Sequence, residues 1–144
     1  MQRKETISFS LLSLNTFGVP FYLSSWRLKR LTVELNRLAP TVICLQEIQQ
    51  NAYLPLLERG LTGHPNQTFF RNRYAPKGGL FSASTLASPV MESGFYPFPN
   101  QGKPLSIGFS DYALNKGVLV SKLEIGERSY GFRTSRGVVS HQRH

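Results

Sequence analysis

Apolar and polar positions alternate through residues 7–14, Ile-Ser-Phe-Ser-Leu-Leu-Ser-Leu, a period of two that predicts a first strand. Asn15-Thr16-Phe17-Gly18 ends it with turn chemistry. Past Pro20 and the pair Ser24-Ser25 the period changes. Leu28, Leu31, Leu35 and Leu38 fall at i, i+3, i+7 and i+10, with Arg27, Lys29, Arg30 and Glu34 at other positions. This spacing predicts an amphipathic helix, closed by Pro40. Val42-Ile43-Cys44-Leu45 then runs without a polar break and stops at Gln46-Glu47, the signature of a strand buried on both faces.

A strand–helix–strand unit of this kind makes its two strands parallel neighbours that leave the sheet at the same edge. Asn15 and Glu47, 32 positions apart in sequence, are therefore expected side by side there. A carboxylate carried by a rigid element at a core edge suits a hard divalent cation, because Mg²⁺ takes oxygen ligands and tolerates little disorder. The bland alternative is a solvated glutamate after a strand.

Downstream, a short helical stretch is predicted from Asn51 to Arg59, ended by Gly60 and limited by Pro55. Strands are predicted at Gln67 to Tyr74 and at Gly79 to Thr85, with Lys77-Gly78-Gly79 as the turn between them, and again at Val90 to Tyr96. Pro97, Pro99, Asn100, Gly102 and Pro104 read as a loop. Val118 to Glu124 and Arg128 to Arg133 read as a hairpin. From Thr134 onward no period is left. The division expected is a domain over 1–133 and an irregular tail over 134–144, without internal repeats or low-complexity segments.

Composition narrows the function classes. The chain has 144 residues, 40% of them hydrophobic and 12% aromatic, which is enough for one core and too apolar for a disordered chain. Its lone cysteine, Cys44, lies inside the apolar run, so it reads as a small buried hydrophobe and no disulfide forms within one chain. No run of 18 apolar residues occurs and the start lacks a signal-peptide core; a soluble, cytoplasmic protein is expected. Seventeen Lys and Arg against eight acids leave +9, which favours polyanionic partners such as nucleic acid, phosphate esters or an anionic lipid surface. The charges are scattered, so sequence-specific reading of bases is not indicated.

Candidate acid–base groups are few. Asp111 is the sole aspartate. His64 is expected in a loop beside Pro65, and His141 and His144 in the tail. None has a carboxylate placed to orient it, so they read as surface or tail histidines and no general base is assigned. Trp26 is expected to pack at the helix start and Lys116 to be a surface lysine leading a strand.

Three segments carry a family resemblance. Ser13-Leu14-Asn15-Thr16-Phe17-Gly18 resembles the first motif of the endonuclease/exonuclease/phosphatase superfamily, a strand ending at a functional asparagine. Pro40-Thr41-Val42-Ile43-Cys44-Leu45-Gln46-Glu47 is similar to the second, which ends at the metal-binding glutamate. Gly78-Gly79-Leu80-Phe81-Ser82 is similar to the glycine-led strand that follows. Phe95-Tyr96-Pro97-Phe98, Asp111 and Asn115-Lys116-Gly117-Val118-Leu119 resemble the sphingomyelinase-like branch.

The resemblance implies the N-terminal portion of a four-layered α/β sandwich, two mixed β-sheets flanked by helices, with the C-terminal half missing. It also implies Mg²⁺ or Mn²⁺, ligated by Glu47 with Asn15 orienting the metal shell or the scissile phosphate, and hydrolysis of a phosphate ester by activated water. The substrate is expected to be a phospholipid of sphingomyelin type or, alternatively, DNA. The family's later motifs, an Asn-Thr-His segment, a Gly-Asp-x-Asn segment and a terminal Asp-His pair, are absent. Where the first of them is due, after Tyr130-Gly131-Phe132, the chain reads Arg133-Thr134-Ser135-Arg136-Gly137. The expectation is a truncated or frameshifted product, not competent in catalysis alone. A non-catalytic basic module that binds nucleic acid or an anionic surface is the reading from another class, and a structural remnant without activity a third.

Overall fold

The computed structural model describes residues 6–18, 23–99 and 116–135, together with the backbone of 138–143. In chain order the elements are β1 (Leu11–Gly18), α1 (Ser24–Leu38), β2 (Val42–Ile48), a 3-10 turn (Asn51–Tyr53) and α2 (Leu54–Gly60). There follow β3 (Asn66–Thr68), a second 3-10 turn (Lys77–Gly79), β4 (Phe81–Ser84), β5 (Val90–Pro97), β6 (Gly117–Ile125), β7 (Arg128–Ser135) and β8 (Val138–Arg143). They build two four-stranded sheets, ordered β1-β2-β4-β3 and β5-β6-β7-β8. The first is mixed, since β1 runs parallel to β2 while β4 runs antiparallel to β2 and β3. The second is antiparallel across its described strands. This is the expected α/β sandwich fragment, with helices over one sheet and the other sheet beneath it.

Burial follows from register. Residues paired across strands share a face, so Ile43 and Leu45 of β2 line up with Phe81 and Ala83 of β4. That face meets Leu28 and Leu35 of α1 and Leu54 and Leu57 of α2 in one fully buried cluster. All seven residues of β2 are buried, as a strand covered on both sides requires. The opposite face carries Val42 and Cys44, which meet Leu123, Ile125, Tyr130 and Phe132 of the second sheet. The same face also carries polar side chains, since Ser84 pairs with Val42 and Ser82 with Cys44. Gln46 Nε2 donates to Ser13 Oγ at 2.9 Å, and the hydroxyls of Ser82 and Ser121 meet across the sheets at 3.3 Å. Apolar and polar contacts are thus interleaved along the face of β2 that meets the second sheet.

Several expectations need correction. The tail does not stay irregular. Residues 138–143 form β8, in register with β7 from Ser135↔Val138 to Tyr130↔Arg143, because the partner strand supplies the order that the sequence period lacks. His64 is not a surface histidine: it is fully buried, and its Nε2–H donates to the Pro40 carbonyl at 2.6 Å, fastening the segment after α2 to the entrance of β2. The strand predicted at Gln67 to Tyr74 shrinks to Asn66–Thr68. Beyond it Asn51 Nδ2 donates to the carbonyls of Asn72 and Arg73 at 2.7 and 3.2 Å, which draws that backbone out of the sheet. Trp26 is 55% exposed and carries the Arg30 guanidinium 4.9 Å above its ring. Asp111, Asn115, His144 and the side chain of His141 lie outside the described residues.

Candidate functional site

The parallel pairing of β1 and β2 puts Leu11 opposite Val42 and Asn15 opposite Gln46. Asn15 and Glu47 therefore occupy neighbouring positions where both strands leave the sheet. Just beyond, the register slips: Gly18 stands opposite Ile48, so β1 spends three steps where β2 spends two. That is a β-bulge, a device that re-aims side chains at a sheet rim.

Two residues at this slip, Phe17 at φ 47° and Glu47 at φ 61°, hold left-handed backbone, a conformation that costs an L-residue about 1–2 kcal/mol. Its effect on β2 is visible in packing. Leu45 and Ile48 both belong to the helix-side cluster, although a regular strand sends residues three apart to opposite faces. Glu47 is the residue at which the pleat resets, and it is 8% exposed.

Surrounding groups hold this geometry. Thr16 Oγ donates to the Gln46 carbonyl at 2.8 Å and lies 3.3 Å from that of Glu47. Arg27, from the first turn of α1, donates to the carbonyls of Thr16 at 3.0 Å and Phe17 at 3.4 Å. The Phe17 N–H donates to Asn15 Oδ1 at 2.9 Å, closing an Asx turn that fixes the amide. Gly18 and Gly79 give the Glu47 backbone its room. A Cβ on Gly18 would fall 2.5 Å from the Glu47 carbonyl oxygen, and one on Gly79 would meet Glu47 Cα at 3.4 Å, with φ +67° besides.

Sequence reasoning named Asn15 and Glu47 and missed their supports. In the sequence Thr16 and Gly18 read as turn residues, Gly79 as the end of a turn and the start of a strand, and Arg27 as part of the polar face of α1. Cys44 fits its expected role. Burial pushes its thiol up to about 11, against a smaller opposing effect of the hydrogen bond with Thr134. His64 sits at the entrance of β2 and Glu47 near its exit; the five strand steps from Val42 to Glu47 span about 17 Å, so this imidazole takes no part at the Glu47 end.

Among the described residues no group of three or more His, Cys, Asp or Glu is placed to hold a metal ion. The register brings two hard oxygen donors to neighbouring positions, the Glu47 carboxylate and Asn15 Oδ1, the latter already accepting from the Phe17 N–H. Such a set fits Mg²⁺, which keeps several of its waters when few protein ligands are offered. No helix among the described residues is long and apolar enough to cross a membrane.

No protein-family model matches the chain, and no curated protein does. Solved structures do. Beta toxin from Staphylococcus aureus with bound magnesium ions aligns at TM-score 0.73 and 19% identity over 90% of this chain and 49% of its own. Sphingomyelinase C from Streptomyces griseocarneus aligns at TM-score 0.68 and 22% identity over 90% and 49%. TDP2 of D. rerio, complexed with single strand DNA product, aligns at TM-score 0.70 and 18% identity over 88% and 45%. The chain spans about half the length of these structures. At these identities the likeness is one of fold, and the chain is folded like about half of each.

Proposed function

We propose that this chain carries the metal-binding half of a phosphodiesterase site of the endonuclease/exonuclease/phosphatase type and is not competent in hydrolysis alone. One observation carries the reading: a nearly buried carboxylate, Glu47, sits on left-handed backbone at the exit of β2 beside Asn15. Backbone strain of that kind persists only where neighbouring structure enforces it, and it gathers at functional sites. The fold shared with a magnesium-bound toxin and a sphingomyelinase supports the same conclusion.

In this reading Glu47 binds Mg²⁺ or Mn²⁺ directly, and Asn15, fixed by the Phe17 N–H, orients the hydrated shell or a phosphate oxygen. The cation, when bound, neutralises phosphate charge. Arg27 holds the bulge against collapse and lends the rim positive charge. Activation of water requires a base within hydrogen-bond reach, and the described imidazole, that of His64, is held by the Pro40 carbonyl at the other end of β2. Loss of general-base catalysis alone lowers rate by about 10²–10⁴. The substrate is a phosphate ester, either of sphingomyelin type or of DNA.

The test pairs binding with turnover. Magnesium titrated calorimetrically should bind weakly to the chain and not to Glu47→Gln, while bis-p-nitrophenyl phosphate should not be hydrolysed by either. Hydrolysis lost on Glu47→Ala would overturn the claim of incompetence; equal magnesium binding by Glu47→Gln would remove the site itself.

A further inference from the structure

The outer face of the second sheet, turned away from the first, has a groove that the metal site does not use. The alternation of β6 is strict: Leu119, Ser121 and Leu123 point inward and are buried, so Val118, Val120, Lys122 and Glu124 line the outer face. Register sets Glu92, Lys122 and Gly131 in one row across β5, β6 and β7, and Gly94, Val120 and Arg133 in the next. A cavity of about 370 Å³ lies over these rows and reaches Tyr96.

The glycines shape it. Gly131 stands opposite Lys122 and two residues before Arg133 on the same face, so its missing side chain leaves a notch between two cations. Gly94 stands opposite Val120, and the Tyr96 ring folds back over it, since a Cβ there would lie 3.1 Å from ring atoms. Tyr96 is nonetheless 61% exposed. An aromatic shelf on β5 and a cationic notch on β7 are thus separated by two strand spacings, about 10 Å, with the half-buried Val120 between them.

We propose that this groove binds a single strand of nucleic acid, a base stacking on Tyr96 while its phosphate enters the notch beside Lys122 and Arg133. A planar ring joined to a phosphate satisfies shelf and notch together. Duplex bases are not free to stack, and an acidic peptide would answer the cations and leave the aromatic shelf unused. Stacking shelf and electrostatic groove are the pairing that single-strand binding uses. The overall charge of +9 acts in the same direction. Two carboxylates among the described residues share this surface, Glu92 opposite Lys122 on β5 and Glu124 two residues beyond Lys122 on β6, whereas the Gly94–Val120–Arg133 row has none.

Anisotropy of a fluorescein-labelled ten-nucleotide deoxythymidine strand, titrated with the 144-residue chain in EDTA, tests the assignment apart from the metal site. Glu47→Ala should bind like the parent. Tyr96→Ala should weaken binding at least about fivefold at fixed salt, the lower end of a stacking contribution, and Tyr96→Phe should not. Lys122→Ala should reduce the slope of log K against log salt by about 0.7. Far-ultraviolet circular dichroism establishes that each variant is folded. No binding by the parent, parental affinity in both Tyr96→Ala and Lys122→Ala, or displacement by polyglutamate as effective as by unlabelled strand would each overturn the proposal. Should Tyr96→Ala fail to fold, loss of binding in Tyr96→Phe overturns the stacking and retention, with the Lys122→Ala slope, supports the site.

Discussion

Replacing Glu47 by glycine and, separately, by alanine tests the geometry at the heart of the candidate site. Both variants lose the carboxylate, so its charge and contacts cancel in the comparison. What remains is backbone. In an ordinary strand glycine is the worse residue by about 0.5–1 kcal/mol, because its unfolded chain is freer. At φ 61° the order should invert, since alanine bears a left-handed penalty of about 1–2 kcal/mol that glycine escapes. Setting the middle of one range against the middle of the other leaves Glu47→Gly more stable than Glu47→Ala by about 0.75 kcal/mol. Urea unfolding followed by circular dichroism resolves this: with a slope near 2 kcal/mol per molar, the midpoints should differ by about 0.4 M. An alanine variant as stable as the glycine variant, or more so, refutes the strained geometry and with it the main support for a functional carboxylate.

Other outcomes follow from packing and charge. Leu45→Ala, at a fully buried position, should lose about 2–5 kcal/mol in the same urea experiment, whereas Leu38→Ala, 57% exposed, should stay within about 0.5 kcal/mol of the parent. The Cys44 thiol, raised to about 11 from 9.0, keeps its proton in the folded chain after the unfolded chain has lost it. Its contribution is intact below pH 9 and fades as pH rises towards 11, by roughly 1.4 kcal/mol per pH unit; Cys44→Ala should lack that part of the alkaline loss when the two stability profiles are subtracted. Arg27→Ala removes two donors from the bulge carbonyls and should cost about 1 kcal/mol, so an unchanged urea midpoint would contradict the clamp.

What could be read in advance was whatever one residue's neighbours in sequence decide. The leucine stripe of α1, the unbroken apolar run of β2 and the hairpin β6–β7 declare themselves by period, and the parallel crossover that brings Asn15 next to Glu47 follows from handedness. The misses share a distant cause. Nothing local says that Asn51 reaches across to the carbonyls of Asn72 and Arg73 and so shortens β3, or that His64 finds the Pro40 carbonyl. β8 takes its register from β7. The left-handed turn at Glu47 was equally hidden, because glutamate is not a residue that signals positive φ. Its traces were Gly18 and Gly79, small residues whose reason becomes visible only once the backbones they admit are in place.

The contact between the sheets mixes two kinds of surface within single rows. Val42 and Cys44 press against Tyr130 and Phe132, and prising them apart would expose hydrocarbon to solvent. Ser82 of β4, beside Cys44, meets Ser121 of β6, beside Phe132, in a contact that water replaces at little cost. Hydrocarbon thus supplies the adhesion between the two layers, and the hydroxyls threaded through it set their alignment.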